Sequence, residues 1–150
     1  MDWIVLDPDI NFSELFRTFD TAVMGRKTFA AMLGQTTGTM PGLEVVVYSK
    51  TLRPPDYPDV TVINSDPVEH IQSLKAKAGK DIWLFGGGAL FRTFLQAGVV
   101  DTVEPAVVPV LLGCGVPMLS APYLKETLVL TKQRVYEKSG TVLLEYSTRR

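Results

Sequence analysis

The chain has 150 residues, 46% of them hydrophobic, with one cysteine, one histidine and a formal net charge of −1. That is material for a single globular domain with a sizeable core, and so small a charge leaves no basic footprint for nucleic acid. No apolar run approaches membrane-spanning length, Asp2 and Asp7 stand where the basic region of a signal peptide would, and the lone Cys114 and lone His70 exclude a disulfide framework and histidine-rich metal sites, so a soluble cytoplasmic protein without a metal is expected.

Taken in chain order, Trp3 to Leu6 is a short apolar run that fits either a strand or a packed entry segment. Asn11 with Glu14 three residues on reads as a capping box, and Phe12, Leu15, Phe16 and Phe19 follow on one helical face closed by Asp20. Thr21 to Met24 reads as a short buried strand broken by Gly25, and Arg26-Lys27-Thr28 opens a helix that carries Phe29, Met32 and Leu33 to Gly34. Glu44 to Tyr48 is the next strand, running into Ser49-Lys50-Thr51, and the prolines between Leu52 and Pro58 mark an irregular connector before a strand at Val60 to Ile63.

Asp66 and Pro67 open a helix with Val68, Ile71, Leu74 and Ala78 inward and Gly79 at its end; His70 lies off that face and is expected in solvent. Ile82-Trp83-Leu84-Phe85 is a fully apolar run, the mark of a strand covered on both faces. Gly86-Gly87-Gly88 ends it and leads into a helix from Ala89 to Ala97, stopped by Gly98. Beyond Asp101, a strand from Thr102 to Val110 is interrupted by Pro105 and Pro109, neither of which can donate to a ladder. Leu111 to Pro122 is a loop holding Cys114, expected as a buried or loop-packed thiol, and Glu126–Tyr136 with Thr141–Ser147 forms a hairpin around Ser139-Gly140. Alternating strands and helices followed by β structure predict an α/β fold with a mostly parallel sheet and an antiparallel hairpin at the end.

Three strand ends carry residues suited to an anion: Gly25 to Thr28, Ser49 to Thr51, and Gly86 to Leu90. Ligands gather at the carboxyl ends of strands in open α/β sheets. A strand feeding a helix through glycine presents unsatisfied N–H groups at the positive end of the helix dipole. Arg26 and Lys27 oppose that dipole, a placement that makes sense if an anion sits there. The triple glycine matches neither the Rossmann nor the P-loop spacing, so a tight strand-to-helix turn without a ligand is the competing reading of that stretch alone. One long polyanion touching all three ends suggests a dinucleotide, and Lys50 on a 2′-phosphate makes it NADPH rather than NADH.

Met24-Gly25-Arg26-Lys27-Thr28-Phe29 and Phe85-Gly86-Gly87-Gly88 resemble the dihydrofolate reductase superfamily. Asp81-Ile82-Trp83-Leu84-Phe85 and Val108-Pro109-Val110-Leu111-Leu112-Gly113 are similar to its bacterial branch related to the C-terminal reductase domain of riboflavin biosynthesis. The resemblance spans Asp2 to Tyr146 and implies the three-layer fold of that superfamily, with helices on both faces of the sheet. It further implies NADPH as cofactor, with Gly25, Arg26, Lys27 and Thr28 on its phosphates and Ser49 and Lys50 at the adenosine 2′-phosphate. Gly86, Gly87, Gly88, Ala89 and Leu90 would supply backbone amides to the pyrophosphate, with a cis peptide at Gly86–Gly87.

Hydride transfer to a C=N or C=O of a pterin-like or pyrimidine-like ring, by a homodimer, is the implied activity. Asp9 stands near the place of the superfamily's substrate-binding carboxylate, and a solvent-exposed turn aspartate beside Pro8 is the alternative. Family members usually begin with an apolar strand and a Ser-Leu-Asp-Gly-like segment ahead of the Asp-Trp seen at Asp2-Trp3, so the single domain, 1–150, is expected to lack that first strand. Three readings of that difference stay open: Trp3–Leu6 substitutes for the strand, a partner chain supplies it, or the chain is an abbreviated version of a longer product. The runner-up function is a nucleotide-binding or assembly protein that kept the groove and lost the chemical centre.

Overall fold

The computed structural model describes residues 7–148; Trp3–Leu6 lies outside them. The chain runs α1 (Phe12–Arg17), β1 (Phe19–Gly25), α2 (Arg26–Leu33), β2 (Glu44–Tyr48), β3 (Thr61–Ile63), α3 (Pro67–Lys75), β4 (Asp81–Gly86) and α4 (Gly88–Gln96). It closes with β5 (Thr102–Val103), β6 (Ala106–Val107), β7 (Leu128–Tyr136) and β8 (Thr141–Thr148). The first four strands form a parallel sheet in the order β3-β2-β1-β4. The last four are antiparallel, with β8 pairing β5, β6 and β7. Pro105 falls between β5 and β6, where its carbonyl accepts from Leu144 N–H at 3.1 Å, so the expected interruption splits one strand into two.

The central parallel strands are apolar at Ala22–Met24 and Val45–Tyr48 because both faces of the sheet are covered there, and successive side chains take opposite faces. Val23, Val46 and Tyr48 pack with Ile71 of α3 and Leu90 and Phe94 of α4. Met24, Val45 and Val47 pack on the other face with Phe29 of α2. The result is the three-layer α/β arrangement of dihydrofolate reductase-like proteins. Among the described residues no helix is long and apolar enough to cross a membrane.

Several elements depart from the sequence expectation. Phe19 opens β1 rather than completing the first helix. The Asp20 carboxylate accepts from Lys80 N–H at 2.7 Å and from the Thr21 hydroxyl at 2.8 Å, and Asp81 N–H donates to Thr18 carbonyl at 3.3 Å. These bonds draw the chain out straight beside β4, and Phe19 stacks on Trp83 at 5.5 Å instead of lying along the helix. α3 stops at Lys75, short of Ala78 and Gly79, where the Lys75 ammonium bonds Val99 carbonyl at 2.8 Å and Asp101.

His70 is half-buried, not solvated: its Nδ1 lies 2.9 Å from the Tyr48 hydroxyl. Burial, then the nearby Lys77 ammonium, lowers the His70 pKa against an opposing pull from Glu44, and burial raises the Tyr48 pKa. Cys114 is exposed in its loop rather than packed. Among the described residues β4 lies at the edge of the parallel sheet. Ile82 and Leu84 meet the core beneath α4, while on the opposite face Phe16 and Phe19 pack on Trp83 and Phe85 is exposed rather than covered.

Candidate active site

Because β1, β2 and β4 are parallel neighbours, their carboxyl ends share one edge. The register places Gly25 opposite Tyr48 and Met24 opposite Gly86, so the Gly25–Thr28 junction sits between the other two. Strand spacing of about 4.8 Å puts the three junctions within reach of one extended ligand. The sequence-predicted residues Gly25, Arg26, Lys27, Thr28, Ser49, Lys50, Gly86, Gly87, Gly88, Ala89 and Leu90 are thus brought together on that edge.

The helix starts there are of two kinds. α3 is capped by its own Asp66, whose carboxylate accepts from Val68 N–H at 2.7 Å and Glu69 N–H at 3.1 Å. α2 and α4 start from Gly25 and Gly87, with no side-chain cap and no acidic residue in the first turn. Their first N–H groups have no intrahelical acceptor, and the dipole adds partial positive charge at the same place. Arg26, Lys27 and Lys50 are exposed beside these starts and form no ion pair among the described residues. The arrangement collects positive potential, and among the described residues no carboxylate pairs with these cations.

The turn itself shows why glycine is used. Gly86 has φ +142° and the Gly86–Gly87 peptide is cis, as the resemblance implied. A Cβ on Gly87 would lie 3.2 Å from the Thr28 hydroxyl oxygen, and one on Gly88 would lie 2.8 Å from the Met118 carbonyl oxygen. Gly87 therefore keeps the groove clear toward α2, whereas Gly88 makes room for the backbone of the 117–120 loop. Leu90 is a core residue and Ala89 is exposed, so both can offer the groove backbone only.

At the 2′-phosphate end the structure divides the expected pair. The Ser49 hydroxyl is turned into its own loop, accepting from Thr51 N–H at 3.1 Å and Leu52 N–H at 3.0 Å. Lys50 is left as the exposed cation there. Asn64, not singled out in the sequence, fixes this turn by donating its amide to the Ser49 carbonyl at 2.5 Å and the Leu52 carbonyl at 3.0 Å.

Beside the glycine turn lies a cavity of about 440 Å³. Its walls are Phe16 of α1, Trp83 and Phe85 of β4, Met32 of α2, and Met40 and Leu43 of the following loop. Thr28 belongs to both the cavity and the turn, so the two spaces meet at its hydroxyl. Sequence reading missed this cavity because Phe16 and the Trp83/Phe85 pair look like ordinary core positions. Alternation along β4 was the available signal: two large aromatics on the face opposite Ile82 and Leu84. Asp9 is not among the cavity residues. It sits in an exposed turn and pairs with the Lys138 ammonium at 2.9 Å.

The family model of the RibD C-terminal domain matches residues 2–144. The chain belongs to that family. Another similar protein, the uncharacterized YyaP of Bacillus subtilis strain 168, is 32% identical over 159 aligned positions, covering 97% of this chain and 83% of YyaP. A crystal structure described as a riboflavin biosynthesis protein of Shewanella sp. PV-4 superposes with a TM-score of 0.82 at 26% identity, covering 100% of this chain and 88% of that one. Dihydrofolate reductase of Enterococcus faecalis, solved with NADP(H), superposes at a TM-score of 0.69 and 21% identity over 99% of this chain and 85% of its own, a likeness of fold. In this RibD C-terminal domain the glycine turn and the uncapped α2 thus stand on a reductase-like fold.

Proposed function

We propose that the chain is an NADPH-dependent reductase that delivers hydride to a pterin-like or pyrimidine-like ring. One observation carries the reading: two uncapped helix starts and three cations without an ion pair among the described residues share the sheet edge with an aromatic cavity that joins them at Thr28. The NADP(H) held by the Enterococcus faecalis enzyme in a similar fold supports the choice of cofactor.

The residues present fit that cofactor. The first N–H groups of α2 and α4 would hold its pyrophosphate, and Arg26 and Lys27 would neutralise phosphate charge. Lys50 would meet the 2′-phosphate as a point charge, the feature that separates NADPH from NADH. When bound, the nicotinamide supplies a hydride. Phe16, Trp83 and Phe85 would hold the acceptor ring flat and exclude water from it, and Thr28 stands where the two spaces join. Asp9 lies outside the cavity and pairs with Lys138, so it is not retained as proton donor.

Action as a homodimer in the cytoplasm belongs to the same reading. Leu111 and Val116 are 102% and 95% exposed, apolar surface of the kind that a second copy covers. The test of the activity is NADPH oxidation by the purified chain with a panel of pterins and pyrimidines that carry a reducible C=N or C=O, followed at the nicotinamide absorbance. Turnover with at least one pterin or pyrimidine supports the reading. Cofactor binding without turnover of any ring would favour the binding-protein alternative. Sedimentation velocity reports the oligomeric state.

A further inference from the structure

Asp7 is a carboxylate that the reductase reading does not use, yet only 2% of it is exposed. One of its oxygens accepts from Asp9 N–H at 3.0 Å. The other accepts from Ser139 N–H at 2.8 Å, in the turn between β7 and β8. Burial works against its charge, but these bonds and the Lys138 ammonium outweigh it and hold the Asp7 pKa below the ordinary carboxylate value. The bond to Ser139 joins residues 132 positions apart.

What this bond ties down is the start of α1. The Asp7 carbonyl accepts from Ile10 N–H at 3.0 Å, closing a turn onto the cap residue Asn11, whose side chain accepts from Glu14 N–H at 3.1 Å. α1 depends on such an anchor. Six residues are too few for a helix to hold itself together in water, and none of the six is buried. At its far end the Lys80 ammonium donates to the Arg17 carbonyl at 2.8 Å. Between the two anchors Phe16 lies 5.6 Å from Trp83 and forms part of the cavity wall, with 40% of its own surface open. The wall is therefore set by bonds made outside the cavity.

We propose that Asp7 is a positioning residue: by tying the chain to the β7–β8 turn it seats α1, and so holds Phe16 against Trp83 as a wall of the cavity. The outer pair of Asp9 and Lys138 has side chains 54% and 62% exposed, so it adds little to the tie. Asp7→Asn keeps the shape of the side chain but turns an amide donor toward one of the two N–H groups, which loses a bond and leaves that N–H unpaired. Asp7→Ser keeps the local turn bond to Asp9 and releases Ser139, breaking the long-range tie alone. The inference rests on the reductase reading for its meaning, since the same wall would face the acceptor ring, but its measurement needs neither cofactor nor acceptor.

The test is acrylamide quenching of Trp83 emission in the full folded chain, in a Trp3→Phe background that leaves Trp83 as the single tryptophan. Asp7→Asn and Asp7→Ser are each expected to raise the quenching constant roughly twofold, as local opening does, with cooperative thermal unfolding retained. Lys138→Ala should stay at the level of the parent. Asp66→Ala, which weakens the fold at α3, should stay there too, so that general destabilisation is told apart from unseating of α1. Phe16→Ala should raise the quenching by itself, and Asp7→Ser added to it should change little further, the non-additivity of residues that act as a unit. Parent-level quenching in a folded Asp7 variant, an equal rise in Asp66→Ala, or full additivity with Phe16→Ala overturns the proposal. The expected quenching pattern in a chain that turns over no NADPH counts against the reductase reading alone.

Discussion

Thr28 and Gly87 face each other across the floor of the groove, with the threonine hydroxyl oxygen 3.2 Å from where a Cβ on the glycine would lie. Gly87 has φ −101°, so alanine is allowed by the backbone and the space alone decides the outcome. Gly87→Ala should fold, push the Thr28 side chain aside and crowd the pyrophosphate site. NADPH affinity is expected to fall roughly 10–100-fold, the range that follows from disturbing one or two charge-assisted hydrogen bonds. Fluorescence titration of the variant checks it, with Thr28→Ala in the same background restoring part of the loss.

Gly88 next door should behave differently. Its missing Cβ faces the Met118 and Pro117 carbonyl oxygens at 2.8 and 2.9 Å, which are backbone and cannot swing away. Gly88→Ala therefore acts as overpacking and is expected to cost about 1–3 kcal/mol in urea unfolding. A groove effect without a stability effect would show that the 117–120 loop does not rest on Gly88.

Asp66→Ala removes two bonds from the start of α3. Loss of such a cap costs about 1 kcal/mol. NADPH binding should be unchanged, because α3 contributes neither uncapped N–H groups nor cations to the groove. Chemical denaturation and cofactor titration of the same preparation separate the two effects.

His70, the single histidine, lies on α3 against Tyr48. Its folded pKa is depressed by burial, so the unfolded chain binds a proton that the folded chain resists. The sign follows: above the ordinary histidine value of about 6.5 the group has no effect on stability, and as pH falls through that value stability is lost. Unfolding followed between neutral and mildly acid pH should show this loss in wild type and not in His70→Gln. The His70 imidazole proton resonance, the one histidine signal in the spectrum, should titrate below the ordinary value.

Much of this was legible in the residues themselves. Glu44-Val45-Val46-Val47-Tyr48 reads as a strand from its own run of β-branched residues, and Asp66-Pro67 is a cap that acts locally. Gly25 and the Gly86–Gly88 run mark turns whose chemistry is also local. What was not legible depends on partners distant in sequence. Phe19 fits the helical spacing, but bonds from Asp20 to Lys80, sixty residues on, draw it into a strand. His70 reads as solvent-facing because its partner, Tyr48, comes from β2, 22 positions back. Trp83 and Phe85 look like core until the order of the described strands puts β4 at an edge. Asp9 meets Lys138 across 129 positions, which no local pattern reports.

The central claim is a groove for NADPH at the shared strand ends, and Lys50 is the residue that tests it most directly. The measurement is a titration of the purified chain and of Lys50→Ala with NADPH and NADH, by nicotinamide fluorescence and thermal shift. A ligand confined to the folded state adds about 2.7 kcal/mol of apparent stability at a hundredfold excess over its Kd. The expected result is clear stabilisation of wild type by NADPH, at least roughly tenfold weaker NADH binding, and loss of that preference in Lys50→Ala. Equal binding of the two cofactors, an unchanged preference in the variant, or no shift with either would contradict it.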